Sequence, residues 1–361
     1  MNEQAEPDVL AMAGQPGGRA AAQAAAQAGA QAAESGPGAT RAVVVGTGHY
    51  LPERVVPNAE FAERLDTSNE WIVSRSGIER RHFAAPGEST SHMAAHAARA
   101  ALSDAGLTPD ALDAIIVATS TPDLTFPAVA TMVQAELGLK TGFAFDVQAV
   151  CAGFIYALAQ AHALIVAGTA RRVMVIGAET FSRILDHEDR GTAVLFGDGA
   201  GALILEARGG TGAGTDRGIL AVDLNADGSQ RDILYVDGGV ATTGTAGCLR
   251  MQGKEVFRHA VEKLASTAST AIRRAGLDAA QVDWVVPHQA NLRIIRATAQ
   301  KLGVPMERVI TTVADHGNTS AASIPLALSV AAAEGRFAPG QVIVAEAIGG
   351  GLAWGAVVLR W

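Results

Sequence analysis

Cys151 stands where an apolar, strand-like run, FDVQAV, meets an Ala-rich helical one, AGFIYALAQA. A thiol at the start of a helix faces unpaired N–H groups and the positive end of the helix dipole, which favours the thiolate and lowers the cysteine pKa. A nucleophile is expected there. An isolated cysteine more often serves as a small buried hydrophobe, but the flanking Ala149, Ala152 and Gly153 leave room for an electrophile. Cys248, in TTGTAGCLRM, keeps the plain reading.

A cysteine nucleophile works with a histidine, and the chain has nine. His288 ends the apolar run VDWVVP and begins HQANLRII, where a helix can start. His316 directly precedes Gly317 and Asn318 and competes for the role, whereas His92, His96, His162 and His259 fall in helical patterns. The histidines are too scattered for metal-ligand spacing, so no metal is expected. Cys151, His288 and Asn318, in that order, also fit a papain-like thiol protease. The local sequence AVCAGF lacks the Cys-Gly-Ser-Cys-Trp context of that family, and two cysteines leave none for its disulfides.

Stepping such side chains into one place requires a scaffold, and from Arg41 onward the chain reads as α/β. The runs AVVVG (42–46), AIIVATS (114–120), RVMVIGAE (172–179), GALILEA (201–207), DWVVPH (283–288) and QVIVAEA (341–347) alternate with helical patterns, as strands buried on both faces do. The parts occur twice in one order. LDAIIVATST, the Cys151 junction, RRVMVIGAET and GDGAGALIL are answered by VDWVVPHQA, ADHGNTSAASIPLAL, GQVIVAEA and GGGLAWGAVVL. A divergent duplication follows, with halves at residues 42–212 and 213–361, and it places Cys151 and Asn318 at equivalent helix starts facing one shared cleft. Two Gly-rich pieces, GDGAGALILEA and VVVGTGHYLP, do not open helices, so a dinucleotide site is rejected.

Composition sets the outer limits. With 49% hydrophobic and 18% charged residues, 361 residues suffice for a large core or two fused ones. The net charge of −8 and the absence of basic runs argue against nucleic acid, and no eighteen-residue apolar stretch predicts a membrane span. Two cysteines fit a reducing cytoplasm. Residues 1–41 differ in kind: GGRAAAQAAAQAGAQAAESGPGAT offers nothing bulky to pack and is expected to be a disordered extension, with early acidic residues unlike a signal peptide.

AVCAGFIYAL, VPHQANLRII, HGNTSAASIPLAL, FGDGAGALIL and EAIGGGLAWGAVVLRW, with SNEWIVSRSGI near the start, strongly resemble the β-ketoacyl-acyl carrier protein synthase III family of the thiolase superfamily over about residues 42–361. The resemblance implies a thiolase-like, internally duplicated five-layer αβαβα fold and a homodimer. It further implies a condensation that starts type II fatty acid synthesis. Cys151 would attack a short acyl-CoA, such as acetyl-CoA, and His288 and Asn318 would stabilise the enolate formed when malonyl-acyl carrier protein loses carbon dioxide. The backbone N–H groups of Cys151 and Gly350 would form the oxyanion hole of the acyl-enzyme. Trp71, Arg75 and Arg190 would hold the adenine end of CoA, Asn291 would support the substrate pocket, and Arg258 and Arg293 would meet the acidic carrier protein. Phe126 would close the partner subunit's acyl pocket and imply short primers. Acyl-CoA is a substrate in this chemistry, and no cofactor is implied.

Departures are few: Lys254 stands where Asn is frequent, and Gln148 is less usual. A degradative thiolase would need a second cysteine near the C-terminal glycine turn, and EAIGGGLAWG has none. A related synthase of secondary metabolism with longer or unusual primers stays open, as does a catalytically inactive paralogue acting as a binding partner.

Overall fold

The structure, a computed structural model, describes residues 38–212 and 216–361. The extension expected over residues 1–41 lies outside the described residues up to residue 37. Its last two residues do not belong to it: Thr40 and Arg41 already pair with Gly209 and Arg208 in the first strand. Backbone pairing carries the ladder past the apolar run, and polar side chains at an edge-strand end give no hydrophobic signal.

Along the chain the strands are β1 (Thr40–Tyr50), β2 (Val55–Pro57), β3 (Arg80–His82), β4 (Ala114–Ala118), β5 (Phe143–Val147), β6 (Arg172–Glu179), β7 (Gly199–Gly209), β8 (Gly218–Ala226), β9 (Leu234–Val236), β10 (Leu249–Met251), β11 (Trp284–Pro287), β12 (Val342–Gly349) and β13 (Ala353–Arg360). Two sheets form the scaffold, one in the order β5-β4-β6-β7-β1 and one in the order β11-β12-β13-β8. In the first, β4 runs parallel to β6, then β7 and β1 add antiparallel. In the second, β11 runs parallel to β12, then β13 and β8 add antiparallel. The plan is the same twice, with β5 added beside β4. The strand starts repeat as well. Asp113 Oδ2 accepts the N–H of Arg172 at 2.8 Å where β6 begins, and Asp283 Oδ2 accepts that of Val342 at 2.8 Å where β12 begins.

Parallel neighbours need a crossover. The crossover helices Gly153–Val166 and Ser323–Ala333 contain no Asp, Glu, Lys or Arg and bury most of their residues, with Gln160, Ala163 and Val166 exposed toward the end of the first. Both lie between the sheets, sharing one core with inward residues of each. Phe154, Ile155 and Leu158 are fully buried there, each a contribution of about 1.5–3 kcal/mol. Thr90–Ala105 and Val129–Glu136 cover the outer face of the first sheet, and Gly253–Arg274 and Leu292–Leu302 that of the second. The layers are αβαβα, the thiolase fold.

Each central helix is entered through a short 3-10 turn, Val150–Ala152 in the first half and Ser320–Ala322 in the second. The first residue of each turn, Val150 and Ser320, has φ of 49°, a left-handed conformation unusual for any residue but glycine and most of all for a β-branched one. This shared kink fixes the true equivalence. Cys151 corresponds to Ala321, and Asn318 sits three residues before that position, so the expected Cys151–Asn318 equivalence is corrected. The two turns pack against each other, which brings Asn318 into the neighbourhood of the thiol without exact symmetry.

Candidate active site

Cys151, His288 and Asn318 line one cleft of about 640 Å³. They are 4%, 3% and 6% exposed, whereas Arg75, Lys254 and Arg293, which line the same cleft, are exposed. The cleft therefore runs from a basic rim to a polar floor. Its wall between them is largely apolar, with Phe181, Phe196, Phe257 and Ile348.

Local folding aims each group. His288 follows β11, where its N–H donates to Glu346 O at 2.8 Å, and its Nδ1 lies 2.7 Å from Ser323 Oγ. Ser323 Oγ also accepts the Gln289 N–H at 3.3 Å and has its own proton to share with Nδ1. In the tautomer whose Nδ1 accepts that proton, the ring N–H is at Nε2. Burial lowers the His288 pKa to about 3, so the ring is a neutral donor and never an imidazolium near neutral pH. Asn318 is held by its backbone, its N–H donating to Leu195 O at 2.9 Å and its O accepting from Gly197 N at 3.0 Å. Its Oδ1 accepts the Ser320 N–H at 2.9 Å, which leaves Nδ2 as the free end of the amide. Two neutral N–H donors thus share the floor with the thiol.

The thiol departs from expectation. Burial pushes Cys151 up to about 12, and the nearby Glu179 charge adds to this, while a Ser320 contact opposes it. Desolvation of the anion outweighs what a helix start supplies, because the cysteine is 4% exposed at the floor of the cleft. Behind it, Gly349 is obligatory: a Cβ there would stand 2.6 Å from Cys151 N and 3.0 Å from Ala149 O, both backbone atoms.

His316 does not compete. It packs against the His82 ring with centroids 6.4 Å apart and does not line the cleft. Trp71 is flanked by two guanidinium groups, Arg75 at 5.5 Å and Arg190 at 4.9 Å from its ring centroid. Arg190 also donates to Asp66 O at 2.6 Å. Asn291 lines the cleft and caps the helix Leu292–Leu302, Oδ1 accepting from Arg293 N at 2.8 Å while Nδ2 donates to Arg75 O at 3.0 Å. Arg293 lies 5.6 Å from the Phe257 ring at the rim, whereas Arg258 pairs with Glu255 at 2.5 Å outside the cleft lining. Phe126 is 82% exposed beside the exposed Leu124, away from the cleft of its own chain. Gly350 is buried against Leu234, whose carbonyl a Cβ would meet at 2.7 Å. Sequence reasoning missed Ser323, Ser320, Gln289 and Glu179. The signal available was a buried polar residue inside an otherwise apolar run.

A duplicated αβαβα scaffold with a cysteine at one central helix and a histidine and an asparagine facing it defines a condensing enzyme of the thiolase fold. The families described as 3-oxoacyl-[acyl-carrier-protein] synthase III and 3-oxoacyl-[acyl-carrier-protein] synthase III C terminal match residues 145–228 and 272–361. A β-ketoacyl-[acyl-carrier-protein] synthase III from Paracoccus denitrificans is 72% identical over 321 residues, covering 89% of this chain and 99% of that protein. Among solved structures, the 3-oxoacyl-[acyl-carrier-protein] synthase III of Aquifex aeolicus superposes with a TM-score of 0.83 at 45% identity, covering 89% of this chain and 100% of the other. The priming β-ketosynthase of the R1128 polyketide pathway gives 0.84 at 35% identity, covering 90% and 98%. The chain belongs to the β-ketoacyl-acyl carrier protein synthase III family.

Proposed function

We propose that this enzyme condenses a short acyl-CoA, acetyl-CoA in the first instance, with malonyl-acyl carrier protein, releasing CoA and carbon dioxide and starting fatty acid synthesis. Cys151 attacks the acyl-CoA thioester; the carbon–sulfur bond to CoA breaks and the acyl group passes to Sγ. Malonyl thioester then enters, loses carbon dioxide, and places negative charge on its thioester oxygen. His288 Nε2–H and Asn318 Nδ2–H point at that oxygen as donors that need no reorganisation. The enolate carbon attacks the acyl carbonyl, whose oxygen the N–H groups of Cys151 and Gly350 receive, and Cys151 leaves. This chemistry requires no metal or other cofactor.

The observation that carries the reading is that Ser323 Oγ and the Ser320 N–H engage His288 Nδ1 and Asn318 Oδ1, so that Nε2 and Nδ2 are the ends left for the cleft that holds the thiol. Trp71, Arg75 and Arg190 fit the adenine end of CoA as a stack of planar groups. Arg293 and Arg258 fit an acidic carrier protein. Phe126, exposed beside Leu124, fits a pocket on a second copy of the chain in a homodimer, and a cytoplasmic enzyme suits a free buried thiol. Among the described residues no helix is long and apolar enough to cross a membrane. The synthase of secondary metabolism is the weaker reading, since the polyketide enzyme shares 35% identity against 72% for the Paracoccus synthase. Condensation assays with acetyl-CoA, butyryl-CoA and octanoyl-CoA test the choice: fastest turnover with acetyl-CoA supports this reading, and turnover with octanoyl-CoA alone overturns it.

A further inference from the structure

Among the described residues, Arg81 is the largest side chain to be fully buried. It lies in β3, paired with Val56 of β2, and its guanidinium has only neutral partners. Nη1 donates to Val56 O at 3.1 Å and to Asn58 Oδ1 at 2.8 Å, Nη2 donates to Val194 O at 2.5 Å, and the Phe61 ring centroid lies 4.8 Å away. Nε is buried without a partner, and Arg81 forms no ion pair among the described residues. Glu60, whose charge acts on it at longer range, pairs with Arg54 at 2.8 Å. Burial lowers the Arg81 pKa to about 10, so the group still carries its charge at neutral pH. A buried charge without a countercharge is a costly way to fill a core, and an apolar side chain of similar length would fill the same space at less cost. What the guanidinium adds is a fork that joins two segments far apart in the chain: the β2–β3 hairpin and the stretch that follows the helix Arg190–Ala193.

That stretch holds Asn318. Val194, Leu195 and Phe196 line the cleft. Leu195 O accepts the Asn318 N–H at 2.9 Å, Asn318 O accepts the Gly197 N–H at 3.0 Å, and Phe196 and Asn318 form a parallel bridge. The base of the Arg81 side chain fills the notch between the two strips, since a Cβ on Gly197 or on Gly317 would each meet Arg81 Cβ at 3.0 Å. Backbone bonds tether the far ends of both strips to the same hairpin, Glu79 N donating to Ala314 O at 2.8 Å and Asp198 N to His82 O at 2.8 Å. Between those tethers the hairpin reaches the carbonyl next to Leu195 through the Arg81 guanidinium. The Asn318 amide is bonded at Oδ1 to the Ser320 N–H, so the aim of Nδ2 follows from where its backbone, and with it residues 194–197, is held.

We propose that Arg81 is a positioning residue for the condensation: its guanidinium fixes the Val194–Gly197 stretch and, through it, the place at which the Asn318 amide meets the enolate oxygen. The inference rests on the role proposed above for Asn318. Arg81 touches neither substrate nor thiol, and its effect belongs to the step in which carbon dioxide is lost. A donor displaced from the developing charge loses most of its worth in that step, whereas attack by Cys151 on the acyl-CoA does not use the amide.

The test compares carbon dioxide release from malonyl-acyl carrier protein with single-turnover acyl loading from acetyl-CoA, in Arg81→Met, Arg81→Lys, Asn318→Ala and the Arg81→Met, Asn318→Ala double variant. Arg81→Met fills the space and removes the fork. It is expected to release carbon dioxide about 10- to 100-fold more slowly, with KM little changed and loading within a few-fold of wild type. Asn318→Ala keeps His288 as a donor and sets the upper limit of the loss, about 10²- to 10³-fold. In that background Arg81→Met is expected to cost less than about twofold more, because the amide it positions is gone. Arg81→Lys keeps the charge but has one nitrogen, which cannot serve Asn58 and Val194 together, so it should lose release in the same direction and carries the test if Arg81→Met does not fold. Release at the wild-type rate in either variant overturns the proposal. Equal loss of release and loading, an undiminished further loss in the Asn318→Ala background, or failure of both variants to fold assigns Arg81 a general structural role and also overturns it. A wild type that releases no carbon dioxide, or an Asn318→Ala enzyme that releases it at the wild-type rate, contradicts the proposed function instead.

Discussion

Replacing Ser323 with alanine removes one oxygen and leaves the His288 ring in place with an unpartnered Nδ1. The bond at stake is 2.7 Å long, and both residues are essentially buried, at 1% and 3% exposure. Stripping a partner from a buried polar atom costs about 1–3 kcal/mol. Part of that falls on the tautomer and aim of the ring, because the serine proton is what reserves the Nε2–H for the cleft. If the whole of it appears in the enolate step, carbon dioxide release falls by about 5- to 150-fold at 1.36 kcal/mol per tenfold. The assay is carbon dioxide release from malonyl-acyl carrier protein under saturating substrate, set beside acyl loading of Cys151 in the same preparation. The expected result is a lower kcat for release with KM little changed and loading within about twofold of wild type. Unaltered release, or release and loading falling together, refutes the assignment of Ser323 as the residue that positions His288.

Gly349→Ala would drive a Cβ to within 2.6 Å of Cys151 N, so the Val150–Ala152 turn must shift; loading is expected to drop about 10²-fold, and loading at the wild-type rate would contradict the close packing. Glu346, fully buried on β12 with no partner for its carboxyl among the described residues, has its pKa raised from 4.5 to about 8. The folded state therefore keeps a proton that the unfolded chain gives up near 4.5, and this contribution to stability is lost as pH rises from 4.5 through 8, by about 1.4 kcal/mol per pH unit. The Tm of Glu346→Gln should gain on that of wild type between pH 5 and pH 8, and a constant difference would count against the assignment. Arg293→Glu at the cleft rim should raise KM for malonyl-acyl carrier protein by about tenfold and that for acetyl-CoA much less, whereas equal effects argue against a carrier-protein contact.

The scaffold was legible because β4, β6 and β12 are sandwiched between helical layers, and strands buried on both faces write themselves as unbroken apolar runs. The order of parts in the two halves was legible for the same reason. What the residues could not show was the register at the active-site turns. Val150 and Ser320 share a left-handed φ that neither side chain favours, so nothing in their types marks the kink that sets Cys151 against Ala321. The direction of the thiol pKa also escaped, since a helix start is visible in sequence while the depth of the seal around it is a property of both halves together. His288 and His316 each stood beside a plausible turn, and only side-chain direction separates them: one reaches Ser323, the other the His82 ring. Glu179 and Glu346 were discoverable, each a lone carboxylate in an apolar run, but their surroundings come from the first and second sheets respectively.

The central claim is that Cys151 carries the acyl group. Intact-protein mass spectrometry after mixing with acetyl-CoA, with Cys151→Ala alongside, tests it most directly. The account predicts an acetyl adduct on the wild type that is absent from the variant and disappears when malonyl-acyl carrier protein is added. An adduct that persists in Cys151→Ala, or a wild type that gains no mass under conditions of turnover, would contradict it.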